Sequence, residues 1–250
     1  MQFSKLLTVI LFNIIFLSAM AQQQATTVQK NSFGEVTNLR DAISSKTIQE
    51  VTIYGGDNEI PYSRTTGSRF WRDEWQSAAL YNKNKMLGII PVKLNLVNSE
   101  IHVIINKEEL VLTNDITSLI FFKENDSSIS TAAFIRNVPN LFLDNKKLDD
   151  FVQVLNYGHY QLLKYRKRYV AVGDSLFRTV KRYYFSDKHY YFLKSGDKVE
   201  RARKLNKDNV LAFLPSSSAY AEWIKSNNID FKKENDIIRF LDHYNASKPK

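Results

Sequence analysis

The hydrophobic period of this chain changes once, near Leu205, and that change constrains the fold more than any other feature. From Val51 to Arg203 apolar and polar residues alternate, the period of half-buried strands; beyond Leu205 the apolar residues recur at helical spacing. The alternation is clearest at Val92-Lys93-Leu94-Asn95-Leu96, where Val92, Leu94 and Leu96 share one face and Lys93 and Asn95 the other. Asn98-Ser99 then turns the chain, Ile101, Val103 and Ile105 repeat the pattern, and Asn106-Lys107 turns it again. Segments 109–112 and 118–122 follow, separated by Thr113-Asn114-Asp115. Strands joined this closely are expected to be antiparallel neighbours, because a parallel return needs a crossover of about a dozen residues. Two further hairpins are expected: 151–156 with 160–165 around Tyr157-Gly158-His159, and 190–194 with 198–203 around Ser195-Gly196-Asp197. Pro91 has no N–H for a ladder, so it belongs where a strand has an open edge or a bulge.

After Leu205, Asn206 caps a helix over 207–214 that Pro215 ends. Ser216 or Ser217 opens a second helix through Ile224, stopped at Asn227-Asn228. Asp230 begins a third, on which Ile237, Ile238, Leu241 and Tyr244 form one apolar face. The expected fold class is therefore α+β: an antiparallel β-meander, curved or rolled, over 51–203, followed by a three-helix C-terminal tail within 204–250. Trp223, Ile224, Ile238 and Leu241 are the tail side chains expected to meet the sheet.

The N-terminus carries an address. Lys5 precedes an apolar run of 15 residues, Leu6 to Met20, and Ala19-Met20-Ala21 places small residues where a signal peptidase accepts them. That run is shorter than the roughly 18–20 residues that span a bilayer, so residues 1–21 are expected to be cleaved after Ala21 rather than kept as an anchor. A polar leader, 22–50, follows, with a short helix expected near 38–45. No second apolar run approaches membrane length, so the product is expected in the periplasm or released. The chain has no cysteine, hence no disulfide and no lipid-modified cysteine. Its formal charge is +9, and loss of Lys5 with the signal leaves 9 − 1 = +8. This balance favours a partner that is an envelope protein or an anionic envelope component, such as phosphate-bearing lipid or acidic polysaccharide. Secretion argues against nucleic acid. The cations concentrate at 164–168, 178–182 and 201–207, where a solvated strand face is the plain explanation.

No complete catalytic set is legible. Val170-Ala171-Val172-Gly173-Asp174-Ser175-Leu176 resembles the first block of the GDSL hydrolases, which would make Ser175 a nucleophile and His189 or His243 its base. Those enzymes place the block at the start of the domain and add a Gly-x-Asn and a late Asp-x-x-His pair, and this chain has no such Asp-x-x-His. An ester or glycan hydrolase is thus the alternative to a non-enzymatic binding or structural protein. His102, His159, His189 and His243 are scattered, so no metal set and no cofactor is expected. Trp71 and Trp75 would suit sugar stacking if exposed, and core packing otherwise. Tyr183-Tyr184-Phe185 and His189-Tyr190-Tyr191-Phe192, close to Arg178, Lys181 and Arg182, interleave aromatics with cations, a pattern that serves ligands or simply strand formation. Arg166, Arg168, Arg178 and Arg182 are the cationic ligand candidates.

The signal, the strand run through Pro91-Val92-Lys93-Leu94-Asn95-Leu96, the hairpin at 151–163 and a tail reading Ala221-Glu222-Trp223-Ile224-Lys225 … Phe240-Leu241-Asp242-His243-Tyr244-Asn245 resemble a family of secreted Bacteroidetes-type proteins of unknown function. The resemblance covers most of 65–245 and implies location and element order, with no catalytic residue to carry over. His243 stands where that family tends to have Tyr.

Overall fold

The computed structural model describes residues 48–50, 64–105, 107–112, 116–124, 126–174 and 181–247. The signal, nearly all of the leader with its short helix, Ser175 and Arg178 lie outside the described residues. Fourteen strands are described: β1 (Ile48–Glu50), β2 (Thr65–Thr66), β3 (Gln76–Asn82), β4 (Lys85–Asn95), β5 (Glu100–Ile105), β6 (Glu108–Leu112), β7 (Ser118–Lys123), β8 (Asp126–Ile135), β9 (Phe142–Leu143), β10 (Lys146–Lys147), β11 (Val152–Val154), β12 (Tyr160–Asp174), β13 (Lys181–Ser195) and β14 (Lys198–Ala202). Three α-helices follow: α1 (Lys207–Phe213), α2 (Ala221–Ser226) after a 3₁₀ turn at Ser217–Tyr220, and α3 (Glu234–Ser247). The chain is mostly β with a helical C-terminus, as the change of period implies.

The sheet is not a simple meander. Its order is β1-β6-β5-β4-β3-β7-β8-β11-β12-β13-β14, with β2 running parallel to β13 at Thr65↔Tyr183 and Thr66↔Tyr184. The expectation that 118–122 pairs with 109–112 is therefore corrected. β7 leaves β6 and pairs with β3, Ala79 opposite Ile120, while the outer edge of β6 takes β1. Pro91 lies opposite Ser77 where β4 has β3 beside it; the pairing of β4 with β5 begins one residue later, at Val92. The missing N–H therefore costs no ladder bond there.

Residues 65–71 act as a strap. They start on β13 as β2 and end on β4, where Trp71 N donates to Leu94 O at 2.8 Å and Leu96 N to Arg69 O at 2.9 Å. The hydrogen-bonded path β4-β3-β7-β8-β11-β12-β13 thus returns through the strap to β4 and closes the sheet into a roll. Closure removes edges that would otherwise template association. Because Phe70 and Trp71 are consecutive in an extended segment, they point to opposite faces. Trp71 packs inward on Phe121 and Phe134, with ring centroids 4.8 and 5.1 Å away, and Phe70 packs outward, edge-on to His102.

Three apolar clusters result. Val92, Leu94, Ile101, Val103, Leu119 and Phe121 fill the roll. Residues 138–148 cover a second face, packing Val138, Leu141 and Leu148 on Leu163, Tyr165 and Phe192. The helices cover the opposite face of β12–β13 through Tyr160, Leu162 and Leu193. Ile224 and Leu241 are buried in that cluster, with Trp223 and Ile238 packed at its margin, so the tail docks through the residues its periodicity marked.

Helix boundaries follow local polar chemistry. Asn206 caps α1, its Oδ1 accepting from Asn209 N at 2.8 Å. Asp230 does not open α3. Its carboxylate accepts from Lys232 N two residues on, making a turn, and α3 starts at Glu234. The second helix is likewise shorter than expected: Ser216 is left-handed (φ 57°) and a 3₁₀ turn precedes α2.

Candidate functional site

β12 and β13 are the longest strands, and their ladder continues for nine pairs beyond both packed faces, from Arg166↔His189 to Asp174↔Lys181. None of the described side chains in this distal half is buried. Strand alternation sorts them. One face carries Arg166, Arg168, Val170 and Val172 with His189, Asp187, Phe185 and Tyr183; the other carries Lys167, Tyr169, Ala171 and Gly173 with Lys188, Ser186, Tyr184 and Arg182.

Arg168 is committed within the protein. Its Nε and Nη2 donate to the two oxygens of Asp187 at 2.7 and 2.9 Å, and its Nη1 donates to the carbonyls of Ser68 (2.7 Å) and Phe70. One guanidinium therefore ties β12, β13 and the strap together, with side chains only 14% and 21% exposed for Arg168 and Asp187. Arg166 lies 3.9 Å from the same carboxylate. The Arg168 hydrogen bonds hold the Asp187 carboxyl below the ordinary carboxylate range, outweighing burial, with the Arg168 and Arg166 charges adding to the effect. Nearer the helices, burial opposes ionisation of Glu234, but its hydrogen bonds from Lys164 Nζ (2.6 Å) and Tyr191 Oη (2.7 Å) outweigh it and lower that carboxyl too. Burial, then Lys164 and Arg166, push the His189 imidazole below its ordinary value.

Arg168→Met should cost about 3 kcal/mol in urea unfolding, since it strands a half-buried carboxylate and two carbonyls. A loss under about 0.5 kcal/mol would show the pair to be a surface ornament. The depressed carboxyls Asp187 and Glu234 contribute stability that is complete above their unfolded values, about pH 4, and is lost as pH falls through the lower folded values. The melting temperature is therefore expected to drop below about pH 4, less steeply in Arg168→Met. An equal slope in the two proteins would contradict the assignment to Asp187.

The opposite face of the ribbon is different. Lys167 and Lys188 stand directly across the ladder from each other, and Arg182 lies further along the same face. All three are exposed, and no carboxylate of the described residues pairs with any of them. Lys188 Nζ sits 5.3 Å from the Tyr169 ring centroid, and a Cβ on Gly173 would lie 3.2 Å from Tyr184 Cε1, so the missing side chain leaves room for that ring. Like charges directly opposite one another destabilise a ladder unless an anion joins them.

An open groove of ≈ 510 Å³ separates the strap from β13, lined by Gly67, Phe70, Trp71, Arg72, Phe185 and Ser186. Trp71 and Trp75 do not form one platform. Trp71 turns inward with Arg72 over its ring, and Trp75 is half-buried with Lys93 Nζ 4.9 Å from its centroid.

Two arrangements escaped the sequence reading. His102, 1% exposed, donates from Nδ1 to Glu109 Oε1 at 2.7 Å, and its Nε2 faces Glu100 Oε2 at 3.7 Å without a hydrogen bond. The His102 ring is the first cause holding Glu100 below its ordinary value. Strand pairing creates this cluster, which is why no local motif announces it. Ser195 Oγ and His159 Nε2 lie 2.8 Å apart because register sets Tyr160 opposite Ser195. Among the described residues no carboxylate bonds His159 to orient it, and neither residue of the pair lines the groove. His189 faces Arg166 on the ribbon, and Ser175 is outside the described residues. Among the described residues no His, Asp or Glu group is arranged to hold a metal ion, and no helix is long and apolar enough to cross a membrane.

Compared with family models, curated proteins and solved structures, the chain matches none.

Proposed function

We propose that this chain is a non-enzymatic extracytoplasmic binding protein that engages an anionic component of the cell envelope through the β12–β13 ribbon. The observation that carries this reading is the Lys167–Lys188 pair, opposed across the ladder with Arg182 beyond it and no described carboxylate to neutralise them. The folded chain tolerates the repulsion, and a bound anion relieves it. The signal expected at residues 1–21 and the resemblance to secreted proteins support the location. Of the three described arginines among the four marked in the sequence, Arg182 is exposed with no described carboxylate paired to it, and Arg166 lies 3.9 Å from Asp187. Arg168 has a structural task in closing the roll.

The test is equilibrium binding of the chain from Gln22 onward to anionic vesicles and to an acidic polysaccharide, each against a neutral counterpart, over a range of salt. Binding to at least one anionic surface, weakening as salt screens it within roughly a 10 Å Debye length at 0.1 M, is expected. No preference for either anionic surface at low salt would end the proposal.

A further inference from the structure

Resting on that reading, we infer that the anionic component is a lipid surface, and that the distal ribbon enters its headgroup layer with Val172 and Tyr184. Charge alone does not separate a membrane from an acidic polymer; the apolar side chains do. A ribbon that grips a polymer or a protein needs one contact face, with the other left polar for water. This ribbon exposes a large apolar side chain on each face, beside its charged ones. Val170, Val172, Tyr183 and Phe185 lie on one face and Tyr169, Ala171 and Tyr184 on the other, all beyond the packed clusters. Val172 is 51% exposed and Tyr184 44%, and alternation sends them to opposite sides of the ladder. β2 borders β13 at Tyr183 and Tyr184 and the other apolar side chains of the ribbon are half-buried, but Val172 and Tyr184 leave one large apolar side chain exposed to water on each face.

The interfacial layer of a bilayer contacts both faces of an inserted ribbon and suits both sets of side chains at once. Tyrosine rings favour that layer, with the hydroxyl toward headgroups and the ring toward acyl chains, and this ribbon carries Tyr169, Tyr183 and Tyr184. Lys167, Lys188 and Arg182 then meet lipid phosphates, which relieves the lysine pair described above. Lysine stems are long enough to keep their charges at headgroup level while the tyrosine rings sit deeper.

The chain contains no cysteine, so a single introduced one reports one position. Val172→Cys carries an environment-sensitive fluorophore, and Ile129→Cys on β8, also exposed, is the control outside the ribbon. Each labelled protein is mixed with phosphatidylcholine vesicles, with vesicles in which phosphatidylglycerol replaces part of that lipid, and with an acidic polysaccharide. On anionic vesicles the Val172→Cys label is expected to shift to the blue and brighten, the Ile129→Cys label to stay unchanged, and the double variant Lys167→Gln/Lys188→Gln to bind about tenfold more weakly or worse. In unlabelled protein, Val172→Ser with Tyr184→Ser should weaken vesicle binding while leaving binding to the polysaccharide unaltered. Binding to the polysaccharide but not to vesicles overturns this inference and leaves the broader proposal standing. Vesicle binding with no change at the Val172→Cys label does the same. Binding to neither surface removes both.

Discussion

Deleting residues 205–250 is expected to make the protein aggregate. The tail supplies Val210, Phe213, Ile224, Phe231, Ile237, Phe240, Leu241 and Tyr244 to one cluster, and the sheet supplies Tyr160, Leu162 and Leu193. Each large apolar side chain fully buried contributes roughly 1.5–3 kcal/mol against a total stability of about 5–15 kcal/mol for a domain. Losing the helices removes those contacts and uncovers a sheet face rich in strand-forming residues, the condition under which sheets associate. Thermal unfolding with light scattering decides it. A truncated protein that melts where the full chain does, without scattering, would make the tail a separate module.

The second large effect is expected at Gly158, and its cause is a side chain 87 positions away. Gly158 has φ +118°, and a Cβ there would fall 2.6 Å from Asn245 Nδ2 and 2.7 Å from Asn245 Cγ. The Asn245 carboxamide cannot easily yield, because it accepts from Tyr160 N at 2.9 Å and donates to the carbonyls of Tyr157 (3.1 Å) and Tyr160 (2.9 Å). Asn156, buried below it, bonds Tyr160 O and Leu162 N, so the whole turn is held by two asparagines. Gly158→Ala therefore combines backbone strain with displacement of a hydrogen-bonding staple. It should cost about 3 kcal/mol, lowering the melting temperature by roughly 10 °C in a domain this size. Asn245→Ala should cost about 1–3 kcal/mol by itself. The double variant should cost clearly less than the sum, because removing the carboxamide frees the space the new methyl needs. Additive losses would mean that the two positions do not share that space.

The two predictions mark what was legible in the sequence. The tail's helices are, because caps and apolar stripes are local: Asn206 and the Ile237–Leu241–Tyr244 stripe sit where expected. So is the Tyr157-Gly158-His159 turn, but its lock is not. Asn245 reads as the end of a helix, and only the docking of α3 on β12 brings it to that turn. Strand order was legible only where successive strands also pair. A turn signal at 113–115 reports that the chain leaves β6, not which free edge it reaches next, and β7 reaches β3. β3 itself escaped the sequence reading because Ala78, Ala79 and Leu80 are all buried, which erases the alternation that identifies a half-exposed strand. The arginines were legible as a basic cluster, but their roles were not. Arg168 meets Ser68 and Phe70 across about a hundred positions of sequence, whereas Lys167, its neighbour, faces the other way with no described carboxylate paired to it.

That division of the basic residues can be tested by charge reversal in matched sets. One variant carries Lys167→Glu, Arg182→Glu and Lys188→Glu; the other carries Lys207→Glu, Lys225→Glu and Lys232→Glu, three exposed lysines of the tail. Both lose the same net charge, so non-specific attraction falls equally. In vesicle and polysaccharide binding at low salt, the ribbon variant should lose affinity for the anionic surface while the tail variant keeps most of it. Equal losses in the two variants would mean that overall charge, not the β12–β13 ribbon, accounts for the binding.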